Sequence, residues 1–163
     1  MSKLVTGFVI SLACTALPAV ALASASGHCT KNDKKFDVVD GVIYKRARFG
    51  DDVNVPNIAL TNFKIDGKPA AEKDPDSALS TQRMKADGGG EVHILVGAAG
   101  VISLQANFSG ISYSNSPASG AIGEVKLSRN DASGVAGHYS FKGNAADDMS
   151  CDFTFDLTYT KPK

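Results

Sequence analysis

Apolar and polar residues alternate along much of the chain from residue 36 onward. A two-residue period is typical of β-strands that have one buried and one solvated face. In the clearest case, the stretch 151–159, the residues between the apolar positions are Asp or Thr. The apolar positions are Cys151, Phe153, Phe155, Leu157 and Tyr159. We therefore predict a strand here whose apolar face packs into the core.

The same alternation predicts further strands at residues 42–49, 58–65, 92–96, 102–108, 111–113, 123–127 and 135–141. Small and polar residues at 97–100 and 130–134 predict hairpin turns, because Gly, Asn, Asp and Ser adopt the backbone conformations that tight turns require. About seven to eight short strands joined in this way favour an all-β fold, an antiparallel β-sandwich or barrel.

One polar segment, residues 67–90, interrupts the strand pattern. Asp74 is a suitable N-cap and Pro75 a suitable first helical residue, so at most one short helix is expected, reaching Lys85. A connection of this length is often functional. The simpler interpretation is a solvated insertion over one edge of the sheet, with the glycines at 88–90 as a flexible hinge.

Residues 1–23 have the composition of a secretory signal peptide, with Lys3 followed by an apolar run that ends in Ala-Leu-Ala. We expect cleavage after Ala23 or, at a second small-residue site, after Ala25. A retained membrane anchor is the alternative, because the apolar run approaches the length that spans a bilayer. After cleavage no membrane span is expected. The mature chain, 24–163, is then a single β domain in the periplasm or outside the cell.

The cysteines predict one disulfide bond. Cys14 lies in the signal segment, so Cys29 and Cys151 remain of the three cysteines. In an oxidising compartment an even pair indicates a bridge. A catalytic thiol or a metal pair is the alternative, but the sequence contains no C-x-x-C motif and no spaced histidines that complete a zinc set.

Charge and motifs limit the function classes. The chain of 163 residues has the length of one domain, and its 17 basic and 17 acidic side chains give a net charge of zero. It therefore lacks the basic excess of a nucleic-acid-binding protein. The nucleophile elbow, zinc-protease, phosphate-loop and EF-hand motifs are absent, so no cofactor or metal is expected. A site assembled from distant residues remains open, since such sites are defined by geometry.

Two histidines provide one candidate site. The alternation places His93 and Glu91 on the face of one strand that points away from the core, and His138 on the corresponding face of another. If these strands are neighbours, the three side chains can form a metal or acid/base site. The alternative is two solvent-facing histidines on a polar sheet face.

The strand at 42–49 provides a second candidate site, because Tyr44, Arg46 and Arg48 share one of its faces. Arginine guanidinium groups match anionic partners, and an aromatic ring offers a flat contact surface, so an acidic partner or a carbohydrate is conceivable. Charges that protect an edge strand from aggregation explain the same residues.

The sequence therefore favours an exported binding module that is not an enzyme, of an inhibitor, immunity or accessory type. We expect it to present a loop or a sheet face to a protein partner. One alternative is a structural or adhesive subunit of a surface assembly. Another is a hydrolase that uses His93, His138 and an acidic residue.

Overall fold

The computed structural model describes residues 24–47, 54–144 and 148–160. The predicted signal segment lies outside these residues. The elements are β1 (Ser24–Lys31), β2 (Lys34–Asp37), β3 (Asp40–Ala47), β4 (Asn54–Thr61), a 3₁₀ turn (Pro69–Ala71), α1 (Pro75–Lys85), β5 (Glu91–Gly97), β6 (Gly100–Phe108), β7 (Ile111–Asn115), β8 (Glu124–Asn130), β9 (Gly134–Lys142) and β10 (Met149–Thr158). Among the described residues, no helix is long and apolar enough to span a bilayer.

The strands form two five-stranded antiparallel sheets that pack as a sandwich. Sheet A has the order β2-β1-β10-β9-β8, and sheet B has the order β3-β4-β5-β6-β7. Sheet B is therefore a meander of five consecutive strands. Sheet A instead joins the first strands of the described chain to the last three.

The core lies between the sheets, where the alternating apolar side chains meet. In β10, Phe153 is fully buried and Phe155 is 2% exposed, as the alternation predicts. Phe36 of sheet A packs against Phe108 of sheet B, with 5.5 Å between ring centroids. The all-β fold and the sandwich arrangement are thus confirmed.

The described residues contain ten strands, so the expected number of seven to eight was too low. The pattern missed β1 because its inward positions before Cys29 carry small residues, Ala25 and Gly27. Gly27 has a positive φ of 122°, and a Cβ at this position would lie 2.0 Å from the Asp152 carbonyl oxygen. The second missed strand, β2, has only four residues, of which Phe36 alone is buried.

The predicted disulfide is confirmed. Cys29 and Cys151 are directly opposite each other on β1 and β10, with 4.1 Å between their Cα atoms. The bridge therefore lies within sheet A and joins two strands that are also hydrogen-bonded.

The predicted helix is also present. The Asp74 side chain accepts a hydrogen bond from the Ser77 amide at 3.1 Å, and Pro75 is the first residue of α1. Leu79 is fully buried against Tyr44 and Ala59. Because Tyr44 and Ala59 belong to β3 and β4, α1 covers part of the outer face of sheet B.

Candidate functional site

A polar cavity of about 220 Å³ lies where α1 meets the outer face of sheet B. We call it the helix cavity. It is lined by Glu91 and His93 of β5, Gln105 and Asn107 of β6, Arg46 of β3, and Asp76 and Ser80 of α1. Four of the residues predicted to form binding sites, Tyr44, Arg46, Glu91 and His93, thus lie in or beside one site.

Strand register explains the sheet side of the helix cavity. On β5, Glu91 and His93 are two residues apart, so both point outward. The antiparallel pairing with β6 sets Asn107 opposite Glu91 and Gln105 opposite His93. Four polar side chains therefore form a compact group, and α1 covers one side of it.

His93 is 7% exposed and contacts side chains through both ring nitrogens. The Asn57 side-chain nitrogen, Nδ2, lies 3.2 Å from His93 Nδ1. The Nε2 atom faces Glu91 Oε2 at 3.6 Å, which is longer than a hydrogen bond.

Tyr44 connects the sheet to α1. Its hydroxyl donates a hydrogen bond to Asp76 Oδ1, and it lies 3.4 Å from His93 Nδ1. Burial, followed by the hydrogen bond to Asp76, raises the pKa of the Tyr44 phenol far above its ordinary value. Tyr44 is therefore a neutral donor at physiological pH. The other Asp76 oxygen, Oδ2, lies 3.2 Å from Arg46 Nε.

Glu91 is a buried carboxylate that is only partly satisfied. Its side chain is 8% exposed, and its Oε1 lies 3.1 Å from Arg83 Nε. Within the described part of the chain, Glu91 Oε2 has no hydrogen-bond partner. An unpartnered buried oxygen costs free energy, so this carboxylate is expensive to bury at this position.

The proposed meeting of His93, Glu91 and His138 does not occur. His93 is on β5 of sheet B, whereas His138 is on β9 of sheet A, so the neighbouring strands that this site required are absent. The His138 side chain is 42% exposed, and its Nε2 lies 3.1 Å from Asp152 Oδ1. The other predicted binding residue, Arg48, lies outside the described residues.

The sequence analysis missed the α1 side chains Asp76, Ser80 and Arg83 at this site. It also missed Gln105 and Asn107, although a signal for them exists. The alternation of β6 indicates their outward direction, because Leu104 and Ala106 are buried in the core. The register of the 97–100 turn alone would set residues 104 and 106 opposite His93 and Glu91, and the register shift between Leu95 and Val96 moves the pairing by one residue. No comparable local signal specifies where α1 packs on the sheet.

A second concave surface lies on the other side of α1. This α1 groove, of about 610 Å³, separates the helix from residues 63–72. Pro69 is buried and Phe63 is half-buried in it. Lys64, Lys68 and Lys85 also line it, together with Asp66 and Glu72. Gln82 ties its two walls together through hydrogen bonds of 2.9 Å to the Asp66 backbone amide and carbonyl.

In the described ranges, no three His, Cys, Asp or Glu side chains are placed to hold a metal ion. Comparison of the chain with protein-family models, curated proteins and solved structures finds no match in any of the three.

Proposed function

We propose that the protein is an exported, non-enzymatic binding module that presents α1 and the surrounding face of sheet B to a protein partner. One observation carries this proposal. The connection between β4 and β5 places a helix on an otherwise outward-facing sheet surface, and it forms a concave surface on each side of that helix.

The charged groups in this region support the proposal. Glu91 and His93 are buried outside the core between the sheets, and burying such groups costs free energy that apolar residues avoid. Buried ionisable groups that line a concave surface are often functional. Export is supported by the N-terminal segment and by the disulfide, which is typical of oxidising compartments.

The α1 groove is the larger contact surface of the two. It combines a partly apolar floor, at Phe63 and Pro69, with charged residues that can surround a protein contact. Interfaces commonly place apolar contacts centrally and charged residues at the rim. Its three lysines against two acidic residues favour a partner whose contacting surface is acidic.

Quantitative affinity capture from the periplasm or medium of the native cell tests this proposal. The Lys68→Glu/Lys85→Glu variant should retain at least tenfold less of the specific partner than the wild type. Lys126→Glu/Lys142→Glu is the matched control, because it makes the same charge change at exposed positions of sheet A. Equal losses in both variants, or capture of no specific protein, would contradict the proposal.

A hydrolase is a second candidate, favoured by the position of His93 between two carboxylates at a cavity. His93 Nδ1 lies 3.8 Å from Asp76 Oδ1, and its Nε2 faces Glu91. Among the described residues, however, no Ser, Thr or Cys side chain is hydrogen-bonded to His93. Turnover of an ester, peptide or glycoside substrate that His93→Gln abolishes would establish this candidate in place of the binding module.

A further inference from the structure

The helix cavity has an unusual lining, since every side chain that borders it is polar. Pockets for drug-like or lipid ligands are lined mainly by apolar and aromatic side chains, because apolar burial supplies much of the affinity. The Tyr44 ring is 4% exposed and does not line the cavity. Any ligand held in this cavity would therefore be recognised by hydrogen bonds.

The charges around the helix cavity balance in pairs. Arg46 pairs with Asp76 at 3.2 Å, and Arg83 pairs with Glu91 at 3.1 Å. A cation or an anion therefore meets one like charge for each opposite charge, which favours an uncharged ligand.

The cavity offers donors and acceptors side by side. Glu91 and His93 both border it, and Glu91 Oε2 lies 3.6 Å from His93 Nε2. The amides of Gln105 and Asn107 each add donors and an acceptor, and Ser80 adds a hydroxyl. Hydroxyl groups match this lining best, because each one both donates and accepts.

We propose that the helix cavity binds a neutral polyhydroxyl ligand of the size of one sugar residue. Glu91 and His93, each with a side chain 8% exposed, form its floor, while Arg46 and Asp76 are 36% and 38% exposed at its rim. The volume of about 220 Å³ holds a single ring and no longer oligosaccharide. This site is independent of the α1 groove, so it does not rest on the proposed protein partner.

Amide NMR spectra of the disulfide-bonded protein, titrated with glucose, galactose, mannose and N-acetylglucosamine, test this inference. At least one sugar should give saturable shifts at the backbone amides of Ser80, His93, Gln105 and Asn107. A ligand of this size should bind with a dissociation constant of about 1 mM. Glycine, ethylammonium chloride and N-methylacetamide are the matched zwitterionic, cationic and amide probes.

Two variants locate the binding. Glu91→Gln keeps the side-chain shape and removes the charged acceptor, and it should weaken sugar binding at least tenfold. His138→Gln changes a histidine on the opposite sheet and should leave binding unchanged. If Glu91→Gln does not give a folded spectrum, Asn107→Ser is tested in its place and should also weaken sugar binding.

The inference is overturned if none of the four sugars gives saturable shifts at these amides. It is also overturned if glycine, ethylammonium or N-methylacetamide binds there and the sugars do not. Loss of partner capture by the lysine variants, with sugar binding intact, would affect neither this inference nor its test.

Discussion

At the scale of single residues, side chains outside the core hold the helix cavity together. Tyr44 donates a hydrogen bond to Asp76, the Asn57 amide contacts His93, and Arg83 pairs with Glu91. Each of these contacts joins a strand to α1 or to a neighbouring strand. The polar groups of the site are therefore also structural supports, and changes to them should affect stability as well as binding.

The buried phenol of Tyr44 gives a prediction at alkaline pH. The folded pKa of Tyr44 is raised by burial and by Asp76, whereas the unfolded value is the ordinary 10.0. The contribution of Tyr44 to stability is therefore complete below pH 10. It is lost as the pH rises above 10, because there the unfolded state releases the phenol proton and the folded state keeps it. In urea unfolding series between pH 9 and 12, Tyr44→Phe should lose stability less steeply than the wild type, with a slope difference that approaches about 1.4 kcal/mol per pH unit above pH 10. Identical slopes would contradict this assignment.

The ion pair beneath α1 gives a second prediction. Removing Arg83 leaves the buried Glu91 carboxylate without its cation, so Arg83→Met should lower the free energy of unfolding by about 1 to 3 kcal/mol. In the Glu91→Gln variant, Arg83→Met should lower the free energy of unfolding by at least 1 kcal/mol less, because no buried charge is then left unpaired. Chemical denaturation of the four proteins at pH 7 measures this difference, and additive effects would show that the pair is not coupled.

At the scale of elements, α1 has only a small apolar interface with sheet B. Its cap uses one carboxylate, Asp74, and its buried apolar contact with the sheet centres on Leu79. An element with so small an apolar interface can open locally while the rest of the fold stays intact. The helix cavity and the α1 groove both depend on this docking.

Substitutions in α1 test its docking. Leu79→Ala should cost about 2 to 5 kcal/mol of local stability, as large-to-small changes at buried sites do. Asp74→Ala should cost about 1 kcal/mol through loss of the cap. Hydrogen exchange should accelerate at the α1 amides and much less in β9 and β10. Met84→Ala, at a position that is 71% exposed, is the control and should change hydrogen exchange little. Equal acceleration throughout the sandwich would mean that α1 does not open separately.

Local periodicity was sufficient for part of the site. It placed Glu91 and His93 on an outward face and grouped Tyr44 with Arg46 on one face of another strand, because side chains two residues apart in a strand share a face. It could not assign His93 and His138 to different sheets, since pairing between distant strands leaves no trace in the alternation. It also could not place Asp76 or Arg83, because the docking position of α1 depends on its tertiary contacts with Tyr44 and Ala59.

At the scale of the whole molecule, the sandwich depends on a long-range closure. β1 pairs with β10 along its full length, and the Cys29–Cys151 bridge joins residues 122 positions apart. A cross-link over so long a loop mainly restricts the unfolded chain. The bridge therefore matters more for stability than its place between two hydrogen-bonded strands implies.

Removal of the bridge should have a large effect on stability. The chain-entropy relation gives about 4 to 5 kcal/mol for a loop of this length, so Cys29→Ser/Cys151→Ser should lower the unfolding free energy by up to that amount. The unfolding free energy should fall more steeply with urea concentration, because the unlinked unfolded chain exposes more surface. Urea denaturation without reductant measures both quantities. A loss below about 1 kcal/mol would show that the bridge adds little to strand pairing.

The adjacency of β1 and β10 also orders events in time during synthesis. The strands of sheet B, from Asp40 to Asn115, are consecutive and can pair with one another as soon as they have emerged. β1 is synthesised before these strands, but it can pair with β10 only after β10 has been synthesised. The Cys29 thiol likewise stays unpaired until Cys151, 122 residues later, is available. Sheet A can therefore be completed only after nearly the whole chain has been synthesised. A nascent chain that stops before β10 carries the unpaired Cys29 thiol on an incomplete sheet A.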